Sequence, residues 1–568
     1  MHGHMLASAR TSGVVAITLV GAAFAGCGDD GRDSAEGSSA PTGATIASAG
    51  PTGNPPTTGA TEVSAGTVGG EGTLDTGDPE TSAASVSTTN GIKLDVAGVD
   101  FGGGDDDTGT MLPLTCENIA MMPATSVGCE FWGVDLPMLQ YNELAFGISV
   151  GNPTEEVAMV TIEDMRGPGD TLRVVTQFAL DPKQSQLTRV NGTDGVIPGD
   201  HQVAASGLTA RGAFRVTSTV PVTAMQINPV GGGPSHVAEA SLLLPSHALG
   251  TSYFALDYTT DFGAWVVAVA IEDGTSVTTQ GQDVMLDAFD TWAFQAGNDP
   301  TGYFVGSDRP IALFSGNSCV LIPGDPWYAC DHLEEQVIPA AAWGTSYVGA
   351  RHPQRVPAIN PTPEEVRWRL VAGVDDTTVT LQPAQPGVGG QVNLGKAGQM
   401  IEFGSTESFV ATGDQPFMLV QYMTGCYNVI KTTGSPQVCD QGPTGDPYMI
   451  QVPPIEQWLT ELPFLTDTSY PRDFVIITRE VGTTVTLACL GEVPADHFTL
   501  VAGTNYEVGY VELDGDNGEG NCVDGAQLIS ASAPIGVMVA GLDWATSYGY
   551  PGGLNFKALW DPPDVPPQ

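Results

Sequence analysis

Trp327, Tyr328, Asp331, His332, Glu334 and Glu335 crowd into one stretch, SGNSCVLIPGDPWYACDHLEEQ, Ser315 to Gln336, with Cys319 and Cys330 flanking its turn-rich middle. A disulfide between those cysteines would rigidify the excursion, and aromatic and charged side chains on a stapled loop are what a ligand-binding surface needs. The plainer alternative is that Asp331 and His332 cap a turn or pair locally. Glu334 and Glu335 also raise the question of a carbohydrate-active hydrolase working with two carboxylates. Adjacent residues on a strand point to opposite faces, which argues against that pair. A second acidic loop, ELDGDNGEGNC, offers Asp514, Asp516, Asn517 and Glu519 as oxygen ligands for calcium. It lacks the glycine at the sixth position that an EF-hand loop requires, and a hydrated turn is the alternative.

Other chemistry finds little support. HExxH and GxxxxGK[ST] are absent, and the histidines of the body are scattered singly, as satisfied or surface residues usually are. The chain therefore reads as non-catalytic, with no cofactor called for beyond calcium. Nineteen basic against 65 acidic residues give a net charge of -46, a field that repels phosphate backbones and excludes nucleic acid as a partner.

The N-terminus points to export. Thr11 to Ala25 is small and apolar, too short to span a bilayer, and follows Arg10, the layout of a signal peptide. It ends in Phe24-Ala25-Gly26-Cys27, which resembles the lipobox of bacterial lipoproteins, so Cys27 is the expected lipidation site. Setting Cys27 aside, the remaining cysteines are even in number: Cys116, Cys129, Cys319, Cys330, Cys426, Cys439, Cys489 and Cys522. An even set in an exported chain reads as disulfides, and their grouping predicts bonds between sequence neighbours. None has CxxC spacing, which disfavours zinc.

The elements that must position these residues come from a repeat. TSTVPVTAMQIN, SDRPIALFSGNSCV, TGDQPFMLVQYMTGC and SASAPIGVMVAG each set a proline, Pro221, Pro310, Pro416 or Pro534, before an apolar run. Each reads as a short buried strand that begins at its proline, where the missing N–H is tolerated. The copies lie roughly 100 residues apart, a spacing of small domains rather than solenoid turns. Gly250-Thr251-Ser252-Tyr253 recurs as Gly344-Thr345-Ser346-Tyr347, and Val277, Val379 and Val485 each follow a tight turn into a strand, Ser-Val-Thr at Val277 and Thr-Val-Thr at the other two. LAFGISVGNP and EEVAMVTIED read as a hairpin.

Long amphipathic helical patterns are lacking, while 72 glycines and 42 prolines favour turns and strands. The expected fold is all-β, about four β-sandwich-like modules packed together, with a closed propeller- or barrel-like arrangement as the alternative. The boundaries read as a signal peptide over 1–26, a disordered acidic tether over 27–111, modules over 112–240, 241–335, 336–450 and 451–555, and a tail over 556–568. The tether, roughly 80 residues poor in apolar side chains, would hold its ends about 50 Å apart.

Taken together, CEFWGVDL, VTSTVPVTAMQINP, ASLLLPSHALGTSYFAL, IEDGTSVT, SDRPIALFSGNSC and CDHLEEQVIP resemble the IgGFc-binding protein N-terminal domain family, over about Cys129 to Gly541. The resemblance implies an extracellular all-β binding region and names no catalytic residues. The combined expectation is an exported protein, lipid-anchored to a bacterial membrane at the cell surface, that binds an extracellular protein or glycan. The alternative is a structural envelope or spacer protein without a dedicated ligand.

Overall fold

The structure is a computed structural model and describes residues 114–121, 123–138, 144–258, 263–296, 299–324, 330–358, 362–426, 428–429, 439, 442–514 and 518–563. The residues read as signal peptide and tether, and with them Cys27, lie outside the described residues, as do Trp327, Tyr328, Asp516 and Asn517.

The described chain is all-β, and its helix is confined to short turns such as Ser246–Ala248, Ala340–Ala342 and Ile455–Gln457. Three long strands carry most of the organisation: Ala213–Asn228, Phe304–Val320 and Ala526–Asp543. These strands do not begin at their prolines as expected; they run through them. The first half of Phe304–Val320 pairs with Gly250–Phe254 and Thr275–Thr279, and the second half with Ala264–Ala270 and Asp331–Gln336. The register slips between Gly306 and Ile311, around Pro310. Equivalent slips surround Pro221 and Pro534. A residue without an N–H is tolerated at such a bulge, and the bend there redirects the strand from one set of partners to another. In the third module the strand is broken outright at Pro416, into Phe409–Gly413 and Phe417–Tyr422, which serve separate four-stranded sheets.

The repeated Gly-Thr-Ser-Tyr has a local cause. The Tyr253 hydroxyl accepts from the Gly250 amide at 2.8 Å and donates to the Ile311 carbonyl at 2.7 Å, just past Pro310. Tyr347 repeats this with the Gly344 amide and the Phe417 carbonyl, just past Pro416. The two repeated motifs are therefore two sides of one hydrogen-bonded corner. In the fourth module, where the motif is missing, Trp458 packs instead over Gly536, whose missing Cβ leaves room for the indole.

The expected hairpin in the first module is not formed. Gly147–Gly151 and Ala158–Gly167 both pair with Ala213–Asn228, which lies between them. The true hairpin partner of Ala158–Gly167 is Thr171–Leu180, across Pro168-Gly169-Asp170. Pairing, in other words, goes to the long strand that can cover both apolar faces.

After each long strand comes a short one: Glu239–Leu242, Asp331–Gln336, Met449–Gln451 and Thr546–Pro551, each pairing with the end of its own module's long strand. Each of these four touches two of the others, but they are not hydrogen-bonded into one sheet. The sheets stay separate, as β-sandwich-like modules do, and do not close as a barrel. One hydrophobic core takes side chains from all four, including Ile227, Leu313, Val420 and Val537. The modules are thus packed through a shared interior rather than strung as beads. The last described residues fold back, with Trp560 Nε1 donating to the Ala340 carbonyl at 2.6 Å.

Candidate functional site

Asp331, His332, Glu334 and Glu335 occupy the strand Asp331–Gln336, every residue of which is buried. The expectation of a solvent-facing loop is corrected for these four residues. The local reason is the disulfide Cys319–Cys330: it returns the chain directly beside Phe304–Val320, and the next residues pair with it, Ser315 with Glu335 and Gly316 with Glu334.

Strand alternation then sorts the side chains. His332 and Glu334 share a face, with His332 Nε2 3.4 Å from Glu334 Oε2, and Gln226 Nε2 of the first module donates to Glu334 Oε1 at 3.2 Å. Glu335 faces the other way, toward the Gln451 backbone. The next acids come from the neighbouring short strands. Glu239 accepts from the amides of Gly549 at 2.8 Å, Ala240 at 3.1 Å and Met449 at 3.2 Å, so one carboxyl links three modules. Asp331 Oδ2 accepts from the Ser547 amide at 3.3 Å. Glutamines complete the ties: Gln336 Oε1 accepts from the Leu244 amide at 2.7 Å, and Gln451 Oε1 from Ile338 at 2.8 Å.

No arginine or lysine pairs with these acids among the described residues; their one basic neighbour is His332, beside Glu334. Burial pushes the carboxyls of Glu239, Asp331, Glu334 and Glu335 well above the usual range, and neighbouring acids add to it. Asp446 rises to about 7 through burial, and burial lowers His332 to about 3. Burial therefore favours the protonated form of the four strand acids and the uncharged form of His332. Such a cluster can knit modules together by hydrogen bonds, and its side chains are buried.

A second buried polar cluster was not legible in the sequence. Glu364 pairs with Arg355 Nε at 3.1 Å, Arg351 at 3.5 Å and His352 at 3.7 Å. Burial alone would raise Glu364, but His352, Arg355 and Arg351 hold it down at about 2. Arg355 also donates to the Thr444 carbonyl at 3.2 Å, and Arg472 of the fourth module donates to the Arg355 carbonyl at 3.2 Å. Nearby, Arg369 of the third module bonds Asp299 at 2.6 Å and Thr301 Oγ1 at 3.0 Å in the second. The sequence signal was faint: arginines are scarce in this acidic chain, so clustered ones are worth tracing to partners.

Of the expected calcium ligands, Glu519 turns to His497, with 3.3 Å between them. Asp514 instead meets Asp473 and Asp524, which linear spacing does not bring together. Gly147–Gly151 spells GxSxG, the spacing of a hydrolase nucleophile elbow. Its serine, Ser149, is buried in mid-strand between two pairing strands and makes no elbow.

All four disulfides join sequence neighbours: Cys116–Cys129, Cys319–Cys330, Cys426–Cys439 and Cys489–Cys522. Bonds of this kind persist in oxidising, extracytoplasmic compartments. No helix among the described residues is long and apolar enough to cross a membrane.

The IgGFc binding protein family matches residues 239–541, from the first of the four short strands to the end of the last long strand, and the chain belongs to that family. The human IgGFc-binding protein is 25% identical over 332 residues, which are 55% of this chain and 6% of the human protein. The chain thus corresponds to a small part of that relative's length. A solved anti-sigma factor domain-containing protein aligns over 72% of this chain and 98% of its own at 8% identity, with a TM-score of 0.12, too low to bear on the fold.

Proposed function

We propose that the protein is a non-catalytic, exported binding protein, attached to a bacterial membrane by lipid on Cys27, whose packed β modules present loops to an extracellular protein. The observation that carries this reading is membership of the IgGFc binding family over 239–541. The geometry supports it: the acids closest to catalytic spacing are sealed inside and serve as module ties. Recognition then falls to the surface, and Trp327 and Tyr328, between the bonded Cys319 and Cys330, are its leading contacts. A spacer role is the second reading, favoured by the hydrogen bonds that lock the modules to one another.

The test is retention of immobilised proteins, IgG Fc among them, and of a glycan array by the full chain, compared with a Trp327→Ala, Tyr328→Ala variant. Retention of a protein, weakened at least about 10-fold in the variant, is expected for an aromatic hot spot. Retention of glycans alone would redirect the ligand class, and no retention at all leaves the spacer. Mass spectrometry of the membrane fraction checks the anchor, which is lost if the Cys27 peptide carries no lipid.

A further inference from the structure

Three carboxylates from separate parts of the fourth module converge on one pocket: Asp473 on the strand Arg472–Glu480, Asp514 just past Tyr506–Glu512, and Asp524 beyond Cys522. One oxygen of each lies within 4.8 Å of the others. Asp473 is fully buried; its Oδ1 accepts from the Tyr548 hydroxyl, and its Oδ2 is buried with no hydrogen-bond donor. Asp524 Oδ1 is likewise buried and without a donor. Burial raises all three; the Tyr548 hydroxyl opposes it at Asp473, and the charged neighbours are one another and two further acids, Asp467 and Glu512. Asp467 is itself buried, with an Oδ2 that lacks a donor.

A buried carboxylate oxygen with neither donor nor counter-charge is costly, so something positive must answer it, either a proton or a cation. The ligands are oxygens only, which suits a hard ion and not zinc or copper. Three carboxylate oxygens within 4.8 Å of one another can close on a single ion, and calcium accepts such irregular all-oxygen sets where magnesium demands near-ideal octahedral geometry. The pocket is also held in place beforehand. The Leu513 amide donates to the Asp473 carbonyl at 2.8 Å, the Asp473 amide to Asp514 Oδ1 at 2.6 Å, and the Gly525 amide to Thr466 Oγ1 at 2.8 Å. We propose that Asp473, Asp514 and Asp524 form a calcium site that fastens the paired strands Arg472–Glu480 and Tyr506–Glu512 to the turn after the Cys489–Cys522 disulfide.

The test uses the full chain, stripped with chelator at pH 7.5 and titrated with calcium. Expected are a rise in melting temperature of about 3 °C or more at millimolar calcium and terbium emission sensitised through Tyr548, displaced by calcium. Asp524→Asn, at a half-exposed position, should weaken calcium binding at least about 10-fold without lowering the melting temperature of the stripped protein. Asp514→Asn serves if that variant fails to fold. Replacing Asp105, Asp106 and Asp107 by Asn should leave the response unchanged. No calcium-dependent shift up to about 10 mM, or a full shift retained in both pocket variants, overturns the site.

Discussion

Two of the buried polar clusters among the described residues solve one problem in opposite ways. Glu239, Asp331, Glu334 and Glu335 sit where the four short strands meet, and burial there favours the protonated carboxyl. Glu364, near the seam between the third and fourth modules, keeps its charge because Arg351, Arg355 and His352 surround it. Asp446 lies between them, raised by burial yet drawn down by the Cys426 amide and by Arg355, and it in turn raises Asp331. The difference teaches that the inner strands are joined by directional hydrogen bonds, which need no counterion, while the seam uses charge. A neutral tie costs little to desolvate; a charged one is stable only while every partner is present.

Replacing each carboxyl by its amide tests the contrast. Glu364→Gln should have the largest effect, a loss of about 3–5 kcal/mol measured by chemical denaturation at pH 7, since it leaves Arg355 buried without its partner. A loss below about 1 kcal/mol would erase the distinction. Next is the pH dependence. Asp446 is raised from 3.8 to about 7, so its fold-bound proton stabilises at low pH, and that stability drains away as pH rises from about 4 to about 7. The slope is about 1.4 kcal/mol per pH unit for the one group, and Asp446→Asn, which keeps an acceptor for the Cys426 amide, should flatten the curve by that much. Glu364 runs the other way: its contribution is complete above 4.5 and is lost as pH falls toward 2. An unchanged slope in Asp446→Asn would mean that Asp446 is ionised in the fold. The smallest effect belongs to Glu334→Gln, at neutral pH within about 1 kcal/mol, because an uncharged group replaces an uncharged one beside Gln226. A loss matching that of Glu364→Gln would show Glu334 charged and the two clusters alike.

Much of the architecture was legible because it is written in short-range chemistry. Prolines before apolar runs, Gly-Thr-Ser-Tyr corners and neighbouring cysteines depend on residues close in sequence, and they locate the repeat, the strands and the four disulfides. The prolines misled only about where strands begin, since a bulge lets a strand continue through a missing N–H. The role of DHLEEQ was not legible. Its charges look like a solvated loop, and whether acids are solvated or protonated inside depends on what covers them.

By itself, then, the sequence determined an exported-type, disulfide-bonded, all-β repeat, because strand period, turn residues and cysteine spacing are local properties. Only the tertiary structure decided that Glu239 would meet Gly549 and Met449, that Glu364 would find Arg355, and that Asp473 would face Asp514 and Asp524. Those neighbours are set by strand pairing across modules, and the burial they share is what fixes the charge each carboxyl carries.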